Sequence, residues 1–383
     1  MEQIKHKKLV NWQDCMNVSS LHFKQTENFF LSYVSEVLKL SLTPGIYGLL
    51  PSSEINLDDR IRISEQANGS IAVEVLYCYA VTPSGIVIKY NSEVDGYRLN
   101  TILKDPSKES KYNTKEKLWN IILSAEAYNR IPSGELDPME TPPRKPNADF
   151  SYTLTAVPTD GSTQRIKGHS LVIGRIQESS EHYEIARDYI PACITMSGTP
   201  ALKGYYRNFY ELLQSLMRNS KSILSKINSS AKNQTLSFNI SLLSKELLRY
   251  SSGIYFDFKN NGQNESPIKT VNHFSSLANT IYVSLSFFKE SEKEELLKYF
   301  YEWTDITPGA FEELLTDMID LEYDHENLRT VMLQVERFLT VFSQLWVKLC
   351  QLEFIGKHKE NIVVSERIQT ESRELKTGYT FID

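Results

Sequence analysis

Residues 328–352 read LRTVMLQVERFLTVFSQLWVKLCQL, and this stretch decides how the chain folds. Its apolar residues recur at alternating intervals of four and three, which predicts a long amphipathic helix. The first apolar stripe consists of Leu328, Met332, Val335, Leu339, Phe342, Trp346 and Leu349. A second stripe widens it with Val331, Phe338, Leu345 and Leu352. A face this broad packs on more than one neighbour, either as a bundle core or as a core that also lines a subunit contact.

The residues before this helix, from 196 onward, repeat the helical spacing in further segments. Thr199-Pro200 is a cap followed by a first-turn proline, which predicts a helix start. The predicted helices cover residues 202–227, 236–250, 267–285, 290–303 and 311–321. With the last helix they predict a helical-bundle domain over residues 196–353, followed by a short C-terminal extension over residues 354–383.

The first 195 residues carry a different pattern, in which short alternating runs are separated by turns. One helix is predicted near the start, because residues 18–20 offer a cap and apolar residues then recur at helical spacing from Phe23 up to Leu40. Strands are predicted over residues 61–63, 70–81, 85–90, 117–129, 150–157 and 170–176. The second and third of these form a β-hairpin, and the proline-rich residues 132–149 form a loop or extended arm. The pattern predicts an N-terminal antiparallel β-sandwich over residues 1–195, so the fold class is α+β.

Composition narrows the function classes. The chain has 383 residues and a formal net charge of -6, which argues against a nucleic-acid partner. Apolar stretches long enough to span a membrane are absent, as is a secretory leader pattern. The cysteines are scattered along the chain, which predicts reduced thiols in a cytoplasmic protein. They are Cys15, Cys78, Cys193 and Cys350.

The sequence shows no local constellation typical of catalysis or cofactor binding. Glycine-rich phosphate loops, HExxH and GxSxG are all absent. His22 and His325 lie near predicted helix starts and are interpreted as capping or packed residues, and Cys193 is interpreted as a buried thiol. We therefore predict a protein that is not an enzyme and has no cofactor or metal. An enzyme whose catalytic residues are far apart in sequence remains an alternative.

Four stretches, in chain order, resemble the TssK family of baseplate adaptors from type VI secretion systems. Residues 10–25 resemble the family's opening, in which a Trp and a small-residue–Met step precede a Pro-Gln-His-Phe-Gln-Gln helix. Residues 189–194, YIPACI, resemble the Ile-Pro-Pro-Cys-Leu step between the β domain and the bundle. Residues 267–287 resemble the third bundle helix, and residues 323–328, YDHENL, resemble the Tyr-x-His-x-x-Leu motif before the last helix.

This resemblance implies a β shoulder, a helical neck and a C-terminal head, assembled as a homotrimer. It implies that the shoulder binds TssF/TssG-like wedge subunits and that the head contacts a membrane complex, which places the cytoplasmic protein at the inner face of the cytoplasmic membrane. Residues 354–383 are too few for a head domain. The identity of the membrane-anchor partner is therefore left open.

The same resemblance implies two sets of interface residues. The early helix and the residues before it are predicted to dock on the wedge through Trp12, Leu21, His22, Phe23 and Gln25. The last helix is predicted to form the trimer contact through Leu328, Met332, Val335, Leu339, Phe342, Trp346 and Leu349. A phage-like tail receptor-binding or adaptor protein shares the implied fold and is the alternative function, and a generic helical scaffold is a further one.

Overall fold

The strands and helices segregate along the chain. The computed structural model describes residues 7–51, 60–67, 70–103, 118–159, 168–179, 182–229 and 235–358. Within these ranges one helix, α1 (Ser20–Lys39), precedes all the strands, and six helices follow them. The predicted mixture of antiparallel sheets and helices is confirmed.

Ten strands form three antiparallel sheets in the part of the chain that the structure describes. The first sheet has the order β1-β4-β5, with β1 (Gly48–Leu49), β4 (Tyr77–Val81) and β5 (Val87–Asn91). The second has the order β2-β3-β6, with β2 (Ile61–Glu65), β3 (Ile71–Val75) and β6 (Leu99–Ile102). The third has the order β10-β9-β7-β8, with β7 (Leu118–Ser133), β8 (Asn147–Pro158), β9 (Ser170–Ser179) and β10 (His182–Ile185).

The hairpin of β4 and β5 is confirmed, but the single strand predicted over residues 70–81 is wrong. It breaks at Leu76 into β3 and β4, which belong to different sheets. The Leu76 N–H donates to the Arg60 carbonyl, whereas its own carbonyl accepts from the N–H of Ser92. The buried positions change parity at the break, from Val73 and Val75 to Cys78 and Ala80. Both parities are apolar in sequence, so alternation alone did not locate the break.

The strands β7 and β8 are far longer than their neighbours and extend beyond the sheet as a two-stranded ribbon. Strand β9 pairs with β7 only as far as Ser124, whereas β8 pairs with it as far as Ser133. A register shift between Glu126 and Arg130 marks the start of the ribbon. The predicted loop over residues 132–149 is therefore shorter than expected, because its two ends belong to strands.

Six helices form the second half. They are α2 (Pro200–Ser229), α3 (Thr235–Asn261), α4 (Pro267–Leu285), α5 (Glu290–Trp303), α6 (Pro308–Ile319) and α7 (Leu328–Gln351). Helix α7 contacts α2, α4, α5 and α6, which confirms that its broad apolar face packs on several neighbours. Its Phe342 and Trp346 rings lie 4.4 Å apart, and Phe311 of α6 and Phe300 of α5 pack around them.

The trimer contact predicted for α7 is corrected by this packing. All seven residues of the predicted stripe are completely buried within a single chain, so they are not available to a second copy. The residues are Leu328, Met332, Val335, Leu339, Phe342, Trp346 and Leu349. Other helices of the same chain cover the stripe, which leaves the bundle-core interpretation.

At the junction between the halves, the segment that leads from β10 into α2 is hydrogen-bonded back to β1. The Leu49 N–H donates to the Ala192 carbonyl at 2.8 Å, and the Ile194 N–H donates to the Leu49 carbonyl at 3.0 Å. Gly48 makes this approach possible, since its φ is 109° and a Cβ there would lie 2.0 Å from the Ala192 oxygen. Residues 355–358 pack against α3 and α5 through Ile355 and Gly356. The rest of the predicted extension, residues 359–383, lies outside the described residues.

Candidate interaction surface of the N-terminal arm

The N-terminal arm, defined as residues 7–42, begins with a small aromatic cluster around the first turn of α1. Ser19 is the N-cap, and its backbone N–H donates to His22 Nδ1 at 3.1 Å. This bond is the return half of a capping box, with a histidine in the place usually taken by Glu or Gln. The Trp12 ring packs 6.0 Å from His22 and 6.1 Å from Phe23. The cap therefore fixes the direction in which the chain enters α1 and holds Trp12 beside it.

Helix α1 is amphipathic, but its apolar face points away from the protein. Ser32 is the one buried residue among its twenty. At about 100° per residue, Asn28, Ser32 and Ser35 share one face. Phe23 and Phe30 lie on the opposite face. The polar face of the helix thus lies against the body, which is the reverse of the usual arrangement for a surface helix.

Polar and backbone contacts hold α1 in place. Arg130, in the β7–β8 ribbon, forms an ion pair with Glu27 and donates to Asn28 Oδ1 at 2.9 Å. The turn between β4 and β5 approaches closely at Gly85, where a Cβ would lie 2.5 Å from the Ser35 carbonyl oxygen. These contacts of Arg130 and Gly85 do not bury the apolar face of α1.

The exposed face of α1, which we call the arm stripe, is large. Its side chains are about half exposed, with values of 57% for Phe23, 55% for Phe30, 54% for Val34 and 47% for Val37. Tyr33 and Leu40 flank them and are also exposed. With roughly 100 Å² of exposed surface for each of these six side chains, the patch covers on the order of 600 Å², which is the upper end for a soluble monomer. Exposed apolar patches of this size often serve as interaction sites.

The comparisons with known proteins address the fold. A crystal structure of TssK matches with a TM-score of 0.52 at 15% identity, over 87% of this chain and 69% of that one. The baseplate complex from the type VI secretion system matches with a TM-score of 0.53 at 12% identity, over 88% of this chain and 99% of that one. This chain has a TssK-like fold. TssK from the type VI secretion system of EAEC, solved in complex with a nanobody, matches with a TM-score of 0.50 at 14% identity, over 85% of this chain and all of that one. No family model and no curated protein matches the sequence.

Residues 323–328, one of the stretches on which the sequence resemblance rests, lie at the junction of the TssK-like fold. His325 is buried between the halves, and its Nε2 lies 2.9 Å from the Tyr47 carbonyl. A carbonyl only accepts, so Nε2 carries the proton and Nδ1 accepts from the Tyr323 hydroxyl at 2.7 Å. Burial lowers the pKa of His325, which keeps the ring neutral. His325 is thus a packed junction residue rather than a cap, and the N-cap of α7 is Asn327.

The structure brings together three of the five residues predicted to dock on a wedge subunit. Trp12, His22 and Phe23 form one cluster, while Leu21 and Gln25 are exposed on the first turns of α1. The capping role predicted for His22 is confirmed. Sequence reasoning did not assign the rest of the arm stripe to an interface. Its helical spacing was visible, but spacing does not reveal whether a stripe is covered by the same chain or by another.

The described residues offer little for catalysis. Burial raises the pKa of the Cys78 and Cys193 thiols to about 12, so both are protonated and unreactive near neutral pH. No group of three His, Cys, Asp or Glu side chains gathers as a metal site in the ranges that the structure describes. In the same ranges, none of the helices combines the length and the apolar character that crossing a bilayer requires.

Proposed function

We propose that this chain is a non-enzymatic structural subunit of a type VI secretion baseplate that links the baseplate wedge to an envelope anchor. The single observation that carries the proposal is the arm stripe, an apolar helix face turned outward on a TssK-like fold. The sequence resemblance supports the same function independently, because it implies an adaptor between wedge subunits and the envelope. The finer architecture that we propose is a β-sandwich shoulder and a helical neck in a cytoplasmic homotrimer.

The proposed partner of the arm stripe is a TssF/TssG-like wedge subunit. An amphipathic helix with anchors at positions 23, 30, 34 and 37 fits a hydrophobic groove, and such grooves recognise helices through anchors one or two turns apart. A standard protein interface buries about 800 Å² on each partner, so a stripe on the order of 600 Å² supplies most of the apolar centre. Trp12, which packs on Phe23, extends it at the N-terminal end.

Co-purification of the chain with TssF/TssG-like wedge subunits from the same organism tests this proposal. The variant is Phe30→Asp, which places a charge in the centre of the stripe without touching the core, because Phe30 is exposed. We expect binding to fall at least about tenfold, since a charge buried in an apolar groove costs several kcal/mol. Phe256→Asp is the matched control, because Phe256 is also exposed but lies on α3.

The outcomes separate the docking surface from the fold. Retained binding in Phe256→Asp together with lost binding in Phe30→Asp supports docking through α1. Equal binding in both variants contradicts it, and a wild-type chain that does not capture the wedge contradicts the proposed function itself. Light scattering on the same samples tests the homotrimer, for which the expected mass is three times the 44.1 kDa of one chain.

A further inference from the structure

A cavity of about 500 Å³ lies at the junction, away from the N-terminal arm. Its walls come from β2, β9, β10 and the segment after β10, and from the first residues of α2. The charged side chains that line it are three arginines and one glutamate, Arg60, Arg175, Arg187 and Glu184. The balance is cationic on a chain whose overall charge is -6. Small-molecule sites typically occupy about 300–1,000 Å³, so the cavity has the size of a binding site.

Two of the arginines are held in fixed orientations by hydrogen bonds. Arg175 Nε donates to Asn120 Oδ1 at 2.7 Å, and its guanidinium stacks 4.2 Å from the centre of the Tyr189 ring. These contacts orient the planar fork but leave its positive charge in place. Arg60 is buried, and its Nη2 donates to the Gly198 carbonyl at 2.9 Å. Pre-oriented guanidinium groups favour bidentate binding of phosphate or carboxylate.

The start of α2 forms the wall of the cavity on the bundle side. Thr199, Pro200 and Ala201 line it, and the Leu202 N–H donates to Thr199 Oγ1 at 3.3 Å. The partial positive charge at the start of a helix adds to that of the arginines. Arg187 is exposed at the cavity, where it is available to an entering ligand. The negative charge of Glu184 opposes anion binding. Its Oε1 accepts a hydrogen bond from Gln177 Nε2 at 2.7 Å.

We propose that this cavity binds a small anion bearing phosphate or carboxylate groups. The ligand contacts Arg175 and Arg187 from the β side and the start of α2 from the bundle side. Because the cavity lies between the halves, a bound anion contacts both the sheet of β9 and β10 and the first bundle helix, and so links them. The site is independent of the proposed wedge contact, since none of its residues lies in the N-terminal arm.

Calorimetric titration of the full chain tests the proposal, with inorganic pyrophosphate in one arm and citrate in the other, at constant ionic strength. We expect saturable binding of one anion per chain. Arg187→Gln is expected to weaken it about tenfold, the effect of losing one charge-assisted contact. Glu184→Gln is expected to strengthen it by roughly threefold, because a repulsive charge is removed. A gain in affinity excludes misfolding as the cause of the changes.

Arg218→Gln is the control, because Arg218 is exposed on α2 but does not line the cavity. It should leave the affinity within about twofold of the wild type. Binding of pyrophosphate alone identifies a phosphate ligand, whereas binding of both anions identifies a general oxyanion site. The proposal is overturned when neither anion binds above the chloride baseline, or when Arg187→Gln and Arg218→Gln weaken binding equally.

Discussion

Helices α1 and α7 both carry a regular apolar stripe, yet the stripe is exposed on α1 and buried on α7. The stripe of α7 is completely buried under four other helices of the same chain. The stripe of α1 is exposed, and the polar face of that helix lies against the body. The difference shows that a hydrophobic period predicts a covered face without specifying which molecule covers it. We infer that α7 stabilises the fold of one chain, whereas α1 serves assembly.

The largest expected effect comes from truncating the buried stripe. Phe342→Ala removes a ring that packs against Phe311, Phe338 and Trp346, and leaves a cavity in the bundle. We expect the free energy of unfolding to fall by about 3–5 kcal/mol, as measured by urea denaturation. A loss below about 1 kcal/mol would contradict the assignment of α7 to the core of a single chain.

A smaller loss is expected at the junction. His325→Ala removes the donor to the buried Tyr47 carbonyl and the acceptor of the Tyr323 hydroxyl. Leaving such groups without partners costs about 1–3 kcal/mol of the free energy of unfolding. Thr330→Ala on α7 is a suitable control, because its hydroxyl only bonds to Asn327 at an exposed site. Equal stability of the two variants would show that the halves do not depend on His325.

The junction also predicts a pH dependence. Burial lowers the pKa of His325 in the folded chain, so the unfolded chain binds protons more readily below the ordinary histidine pKa of about 6.5. Stability contributed by neutral His325 is therefore full above that value and falls as the pH drops below it. The pKa of His273 is also lowered by burial, whereas the hydrogen bond with Glu302 raises that of His358. Only the difference between the wild type and His325→Gln isolates the junction.

Denaturation of both proteins at pH 7.5 and pH 5.5 measures that difference. The wild type should lose more of its free energy of unfolding on acidification than His325→Gln does. The opposite sign is expected for His358→Gln, because a raised pKa stabilises the folded chain at low pH and that stabilisation is lost as the pH rises. Parallel acid sensitivity in the wild type and His325→Gln would contradict a neutral buried ring at the junction.

The smallest effect is predicted for the exposed stripe. Phe30→Ala should change the free energy of unfolding by less than about 0.5 kcal/mol, because the side chain is already half exposed in the free chain. Urea denaturation beside Phe342→Ala makes the comparison direct. A loss of several kcal/mol in Phe30→Ala would show that the stripe is part of the fold, and would remove the contrast between α1 and α7.

The sequence predicted the helices well, because their apolar residues repeat over many turns. It failed where two signals overlapped, as at Leu76, where apolar residues on both parities concealed a change of sheet. The role of His325 was also out of reach, since its partner Tyr47 is distant in sequence and brought near only by the junction. For the interaction surface, Trp12 and Phe23 were predicted through resemblance. The rest of the arm stripe could be recognised only in the structure, because the spacing of apolar residues does not show which stripes the same chain covers.

Hydrogen exchange followed by mass spectrometry, on the chain alone and bound to its wedge subunits, tests the central claim most directly. Peptides from α1 should exchange faster than those from α7 in the free chain, because α1 has no buried apolar face. On binding, α1 should slow by about tenfold or more while α7 stays unchanged. A free α1 already as protected as α7, or an α1 that does not change when the wedge is bound, would contradict the account.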